Sequence, residues 1–113
     1  MTTSTRYFAA AFVGVALALT AGCSSLKTPA TADVAVSKAA VDNAAGAGGA
    51  EFAPAEMMAA RDKMALANKA MAAKDYKLAI DLAAQAQTDA TLARSKANSA
   101  KAQTAADALI HTL

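Results

Sequence analysis

The sequence predicts an all-α protein: an alanine-rich antiparallel helical hairpin with a long C-terminal helix and a shorter N-terminal helix. Three observations lead there. Alanine supplies 36 of the 113 residues and aromatics only 4%, so the apolar fraction consists of methyl groups rather than side chains large enough for a thick core. Alanine is the strongest helix former, and Lys, Gln, Met, Leu and Arg fill much of the rest, a composition typical of long or coiled helices. Two stretches carry apolar residues at alternating spacings of three and four, the period of a helical packing seam.

The chain opens with Met1 to Arg6, short, polar and carrying one positive charge, followed by the uncharged apolar run Tyr7 to Leu19. A transmembrane helix needs about 20 apolar residues. This run is shorter and breaks at once into Gly22, Cys23 and two serines, so residues 1–22 are expected to be an export signal rather than a span. Its removal leaves about ninety residues, room for one domain.

Cys23 is the only cysteine, which excludes an internal disulfide and a cysteine-rich metal site. The junction Leu19-Thr20-Ala21-Gly22-Cys23 resembles the lipobox of bacterial lipoproteins. Small residues at Ala21 and Gly22 admit the backbone to a signal peptidase, and the Cys23 sulfur is the nucleophile that takes a diacylglyceryl group. Thr20 stands where the usual box has leucine, with Leu19 one position further back. The resemblance implies a mature protein that begins at Cys23 and holds a membrane through acyl chains, palmitate among them, two or more of which anchor stably. Ser24 occupies the sorting position after the cysteine, where aspartate favours inner-membrane retention in enterobacteria. Outer-membrane placement facing the periplasm is therefore implied.

Residues 23–30 are expected to be a tether and 31–113 the helical domain. Thr28 or Thr31 can cap a first helix running to about residue 45, with Pro29 suited to the first helical position if Thr28 is the cap. Val34, Val41 and several alanines are its apolar content. Gly46-Ala47-Gly48-Gly49 stops it and is expected to be a turn or flexible hinge. A second helix, about 54–73, starts at Pro54, with Glu56 near the positive end of its dipole. Met57, Ala60, Met64, Ala67 and Met71 form its seam, expected to be core packing because methionine fills gaps between helices.

Asp75 is the expected N-cap of a third helix, about 76–111. Its seam is Ala79, Ala83, Ala86, Ala90, Ala93, Ala97 and Ala100. Alanine there lets backbones approach closely, so the methionines of helix two can interdigitate with it. At 1.5 Å per residue helix two spans about 30 Å and helix three about 55 Å. The uncovered length is left to helix one, to a second copy, or to another partner, with Leu109, Ile110 and Leu113 beyond the seam.

Asp75-Tyr76, Ala79-Ile80, Ala83 and Ala86 resemble the turn and second helix of a single tetratricopeptide unit, without a recurring period. A wider likeness rests on Ala53-Pro54-Ala55-Glu56, the alanine seam, Asp75-Tyr76 and the run Leu82-Ala83 to Ala93. These resemble a lipoprotein-associated helical domain catalogued as domain-of-unknown-function family 4398. That resemblance implies an envelope lipoprotein with a helical hairpin and no assigned activity. The major outer-membrane lipoprotein joined to peptidoglycan is also a seamed helix behind a lipidated cysteine. It attaches through a C-terminal lysine, whereas this sequence closes on His111-Thr112-Leu113.

No chemistry stands out. His111 is the only histidine, and Asp62, Asp75, Asp81 and Asp89 share helices with Lys and Arg, as caps and solvated faces do. There is no phosphate loop, nucleophile elbow or metal-ligand spacing, so neither a catalytic residue, a metal nor a cofactor is expected. The formal charge of +2 is interspersed rather than blocked and stacking aromatics are scarce, which argues against nucleic acid. The function expected is noncatalytic: a lipid-anchored envelope protein offering its hairpin for structural support or for binding a protein or peptidoglycan partner. Its alternatives are a homo-oligomeric coiled-coil spacer between outer membrane and peptidoglycan, and a carrier gripping an apolar ligand between the methionine and alanine seams.

Overall fold

The computed structural model describes residues 25–113. The expected signal, the lipobox at Leu19, Thr20, Ala21 and Gly22, the acceptor Cys23 and Ser24 lie outside those residues. The described part is all-α: α1 (Lys27–Gly46), the single turn α2 (Gly49–Phe52), α3 (Pro54–Ala72) and α4 (Tyr76–Thr112). No strand occurs among the described residues.

α1 begins at Lys27, earlier than the sequence suggests, so the expected tether gives its last four residues to the helix. Leu26 is the N-cap and contributes no side-chain bond. Thr28 and Thr31 are inside the helix, and the Thr31 hydroxyl donates to the Lys27 carbonyl at 2.8 Å instead of capping. Pro29, third in α1 rather than first, still falls in the turn whose N–H groups lack intrahelical acceptors, where proline is tolerated. Packing extends the helix: Ala30 in this first turn is fully buried. 

The glycine cluster forms a structured turn rather than a loose hinge. Gly48 adopts φ 92°, the left-handed conformation that lets the chain leave α1 and enter α2. Gly49 is buried. A β-carbon there would meet the Met57 sulfur at 2.7 Å and the Ala44 carbonyl oxygen at 2.8 Å, so α1 and α3 close over a position with room only for hydrogen.

α3 starts with Pro54 at its first position, Ala53 serving as N-cap. It ends in a Schellman arrangement, the Asp75 N–H bonding the Ala70 carbonyl at 2.9 Å and the Lys74 N–H bonding that of Met71 at 3.1 Å. The left-handed position is held by Lys74 at φ 60°, where glycine is the usual occupant. Asp75 then caps α4, its carboxylate accepting from the Leu78 N–H at 3.3 Å.

α3 folds back antiparallel on α4, and its register is marked by two ion pairs that join the helices. Lys63 meets Asp89 at 2.6 Å, and Lys96 meets Glu56. α1 lies on the same stretch of α4 but runs parallel to it: Ser37 touches Ala83 near one end, and Gly48 approaches Lys101 near the other. The cover of α4 left open by the sequence is thus supplied in part by α1. α1 ends and α3 begins near Ala100, and every residue of α4 from Lys101 onward is exposed.

Candidate functional site

What the fold builds is a spine of alanines between two covering helices. Ala79, Ala83, Ala86, Ala90, Ala93 and Ala97 are all fully buried. With a methyl at every contact, α4 lets α1 and α3 seat their larger side chains over its axis. Val41 and Ala44 from α1, then Met57, Ala60 and Met64 from α3, join Ala86, Ala90 and Ala93 in one buried cluster, with Val34 packed against it. Met57, with 1% of its surface accessible, is the largest fully buried side chain. Met57 and Met64 therefore sit as core residues fitted against small partners.

Ala67 is buried as well, but Met71 and Ala100 are half-buried. Both stand at the ends of the spine. α4 begins at Tyr76 and provides no layer beyond Ala79 to cover Met71, while α3 stops before it can shield Ala100. Ala70, absent from the expected seam, is buried instead beside the closing turn to which its carbonyl is bonded.

Ser37 was not singled out by composition or motif. It is the only buried polar residue among those described, and its hydroxyl donates to the Ala83 carbonyl at 2.6 Å across the α1–α4 contact. A signal for it exists: Ala30, Val34, Ser37, Val41 and Ala44 repeat the alternating spacing of the other helices. The mixture of a serine and two valines among alanines hides that repeat from any reading by hydrophobicity alone.

The ionic groups are paired along the outside. Lys38 meets Asp42 at 2.9 Å and Lys77 meets Asp81 at 3.1 Å, both on single helices. The Asp42 carboxylate, through its hydrogen bond and its charge, holds Lys38 above the usual lysine value. Exposed pairs of this kind contribute little to stability. Asp89 differs from the solvated group expected, since, like Glu56, it ties α3 to α4 and is partly buried. The hydrogen bond from Lys96, followed by that from its own backbone N–H, holds the Glu56 carboxyl below its ordinary 4.5. A carboxyl lowered in the folded state stabilises above its unfolded pKa, and that contribution disappears as pH falls through the folded value. Glu56→Gln should therefore lower the urea midpoint near neutrality and leave it less sensitive to acidification below 4.5, measured beside the native chain.

Among the described residues no group of three His, Cys, Asp or Glu is placed to hold a metal ion. His111 is exposed near the end of α4. No helix of the described residues is long and apolar enough to cross a membrane. The surface left by this arrangement is the outer face of α4, where Leu92, Leu109, Ile110 and Leu113 are 46%, 66%, 69% and 106% exposed. A shallow groove on the same face is lined by Gln87, Thr88, Thr91, Leu92 and Ser95.

Residues 32–109 match the profile of a family described as a domain of unknown function (DUF4398). That span takes in most of α1, all of α2 and α3, and α4 nearly to its end. No curated protein and no solved structure matches the chain.

Proposed function

The chain belongs to the DUF4398 family, and on that premise we propose that it is a noncatalytic, lipid-anchored protein of the cell envelope. Its helices serve as a structural or protein-binding module on the periplasmic side of the outer membrane. The observation that carries the reading is the sequence Leu19-Thr20-Ala21-Gly22-Cys23 at the end of an apolar run, with the sole cysteine at the acceptor position. The start of α1 adds to it: only Ser24, Ser25 and Leu26 separate Cys23 from the first helical residue. On this reading the acyl chains hold the domain close to the headgroups, and the long α4 reaches along or away from that surface.

The test is metabolic labelling of producing cells with a radioactive fatty acid. The native chain should carry label, and Cys23→Ser should carry none and keep an unprocessed signal. A native chain without label, or a Cys23→Ser variant labelled equally, overturns the anchor. Crosslinking in intact envelopes then addresses the module: recovery of a specific protein or wall component supports it, and recovery of neither counts against it.

A further inference from the structure

α4 has two faces of opposite character. At 3.6 residues per turn, the positions diametrically opposite the buried alanines Ala83 to Ala97 run through Thr88, Leu92, Ser95, Ser99, Ala102 and Ala106 and on to Leu109 and Leu113. These are spaced by fours and threes, as the buried spine is, and all are exposed. None is charged. The charged groups of this stretch, Asp89, Arg94, Lys96, Lys101 and Asp107, fall on the flanks or the other side of the helix. The solvent-facing side of a surface helix ordinarily carries the charged residues. Here that side lacks them over about 39 Å, the length of 26 residues at 1.5 Å each. It also bears four exposed large aliphatic side chains.

We propose that this face pairs with the same face of a second copy, the two α4 helices lying antiparallel and crossing between Ser99 and Ala102. The occupant follows from size and charge. Centring the pair there sets Ser99 against Ala102 and Ser95 against Ala106, small residues where the helices approach most closely. Leu92 then meets Leu109, and Leu113 reaches Thr88, so the exposed leucines of one copy enter the groove lined by Gln87, Thr88, Thr91, Leu92 and Ser95 of the other. A twofold axis makes both contacts at once, since an isologous interface must complement itself. In-register parallel pairing would stack the leucines on one another and leave the groove unfilled. A charged partner or an anionic lipid surface would find no complementary charge on this face.

The pairing covers the part of α4 beyond Lys101 that no other helix among the described residues covers. It also puts the two Lys27 ends at opposite ends of the pair, so that a dimer held by both amino termini lies along its membrane. It gives a geometry to the homo-oligomer alternative but does not require acylation, so a labelled Cys23 without pairing would sink the dimer and leave the anchor standing.

The test is disulfide trapping of the full chain in producing cells with copper phenanthroline, read on non-reducing gels. Ser95→Cys combined with Ala106→Cys should give a dimer band several times stronger than the native chain. Ser95→Cys or Ala106→Cys alone should not, because each position faces the other type and its own counterpart lies about 16 Å away along the axis, 11 residues at 1.5 Å each. Adding Leu109→Lys to the double variant should cut the band about tenfold or more, the equivalent of 1.4 kcal/mol. Residue 109 is exposed in the single chain, so its circular dichroism should be unchanged. No band from the double variant, or equal bands from the single variants, overturns the antiparallel pair. A band that survives Leu109→Lys undiminished overturns the assigned face.

Discussion

Met57→Ala is expected to be the most damaging single truncation in the described domain, lowering stability by about 2–5 kcal/mol in urea unfolding. Met57 has 1% of its surface accessible and lies in the cluster where α1, α3 and α4 all meet. Its neighbours there are mostly alanines, which have no rotamers with which to fill a void, so the space left by the thioether stays open. A domain of about ninety residues is held by roughly 5–13 kcal/mol. The variant should therefore melt at least about 8 °C lower, at the usual 4–8 °C per kcal/mol for domains of this size. A loss below about 1 kcal/mol would mean that the helices collapse onto the gap, and that the three-way junction is less constrained than its geometry implies.

Gly49→Ala is the second. The added β-carbon would sit 2.7 Å from the Met57 sulfur and 2.8 Å from the Ala44 carbonyl oxygen. The sulfur ends a flexible side chain and can yield, but the carbonyl belongs to the backbone of α1. A cost of about 1–3 kcal/mol is expected, the range for overpacking. Because part of that clash is with Met57, the double variant Gly49→Ala/Met57→Ala should lose less than the two single losses combined, by roughly 0.5–1.5 kcal/mol. Strict additivity would show that the whole penalty comes from α1. Gly46 is the internal control. No atom lies within 4 Å of a β-carbon built there, and the residue ends α1, so Gly46→Ala should be neutral or slightly stabilising.

The alanine spine and methionine seam were legible from spacing alone because a helix on one face of a core repeats its apolar residues at threes and fours, and these seams are nearly pure in residue type. The turn at Asp75 was legible for a similar reason: its carboxylate has a local task, and local tasks leave local signatures. α1 was less so. Its start is marked by the burial of Ala30 rather than by a local signal, and neither Thr28 nor Thr31 performs the capping its chemistry suggests. Its inward face mixes Ala, Val and Ser, so the Ser37 bond to Ala83 emerges only when the two helices are brought together. The glycines looked alike in sequence, yet the structure gives Gly48 a backbone task, Gly49 a packing task and Gly46 neither. The outer face of α4 was partly visible in Leu109, Ile110 and Leu113. Their continuity with Leu92 through serines and alanines becomes apparent once the opposite side of the helix is known to be occupied.

An interior made chiefly of methyl groups has a calorimetric consequence. The heat capacity of unfolding comes from apolar surface newly wetted by water, and globular chains average about 12–15 cal/mol/K per residue. A helix that contributes six buried alanines and no larger buried side chain releases little such surface when it separates from its neighbours. Enthalpy and entropy of unfolding then change slowly with temperature, and the stability curve is a low, broad arch. Such a molecule keeps a similar margin in the cold and in the warm.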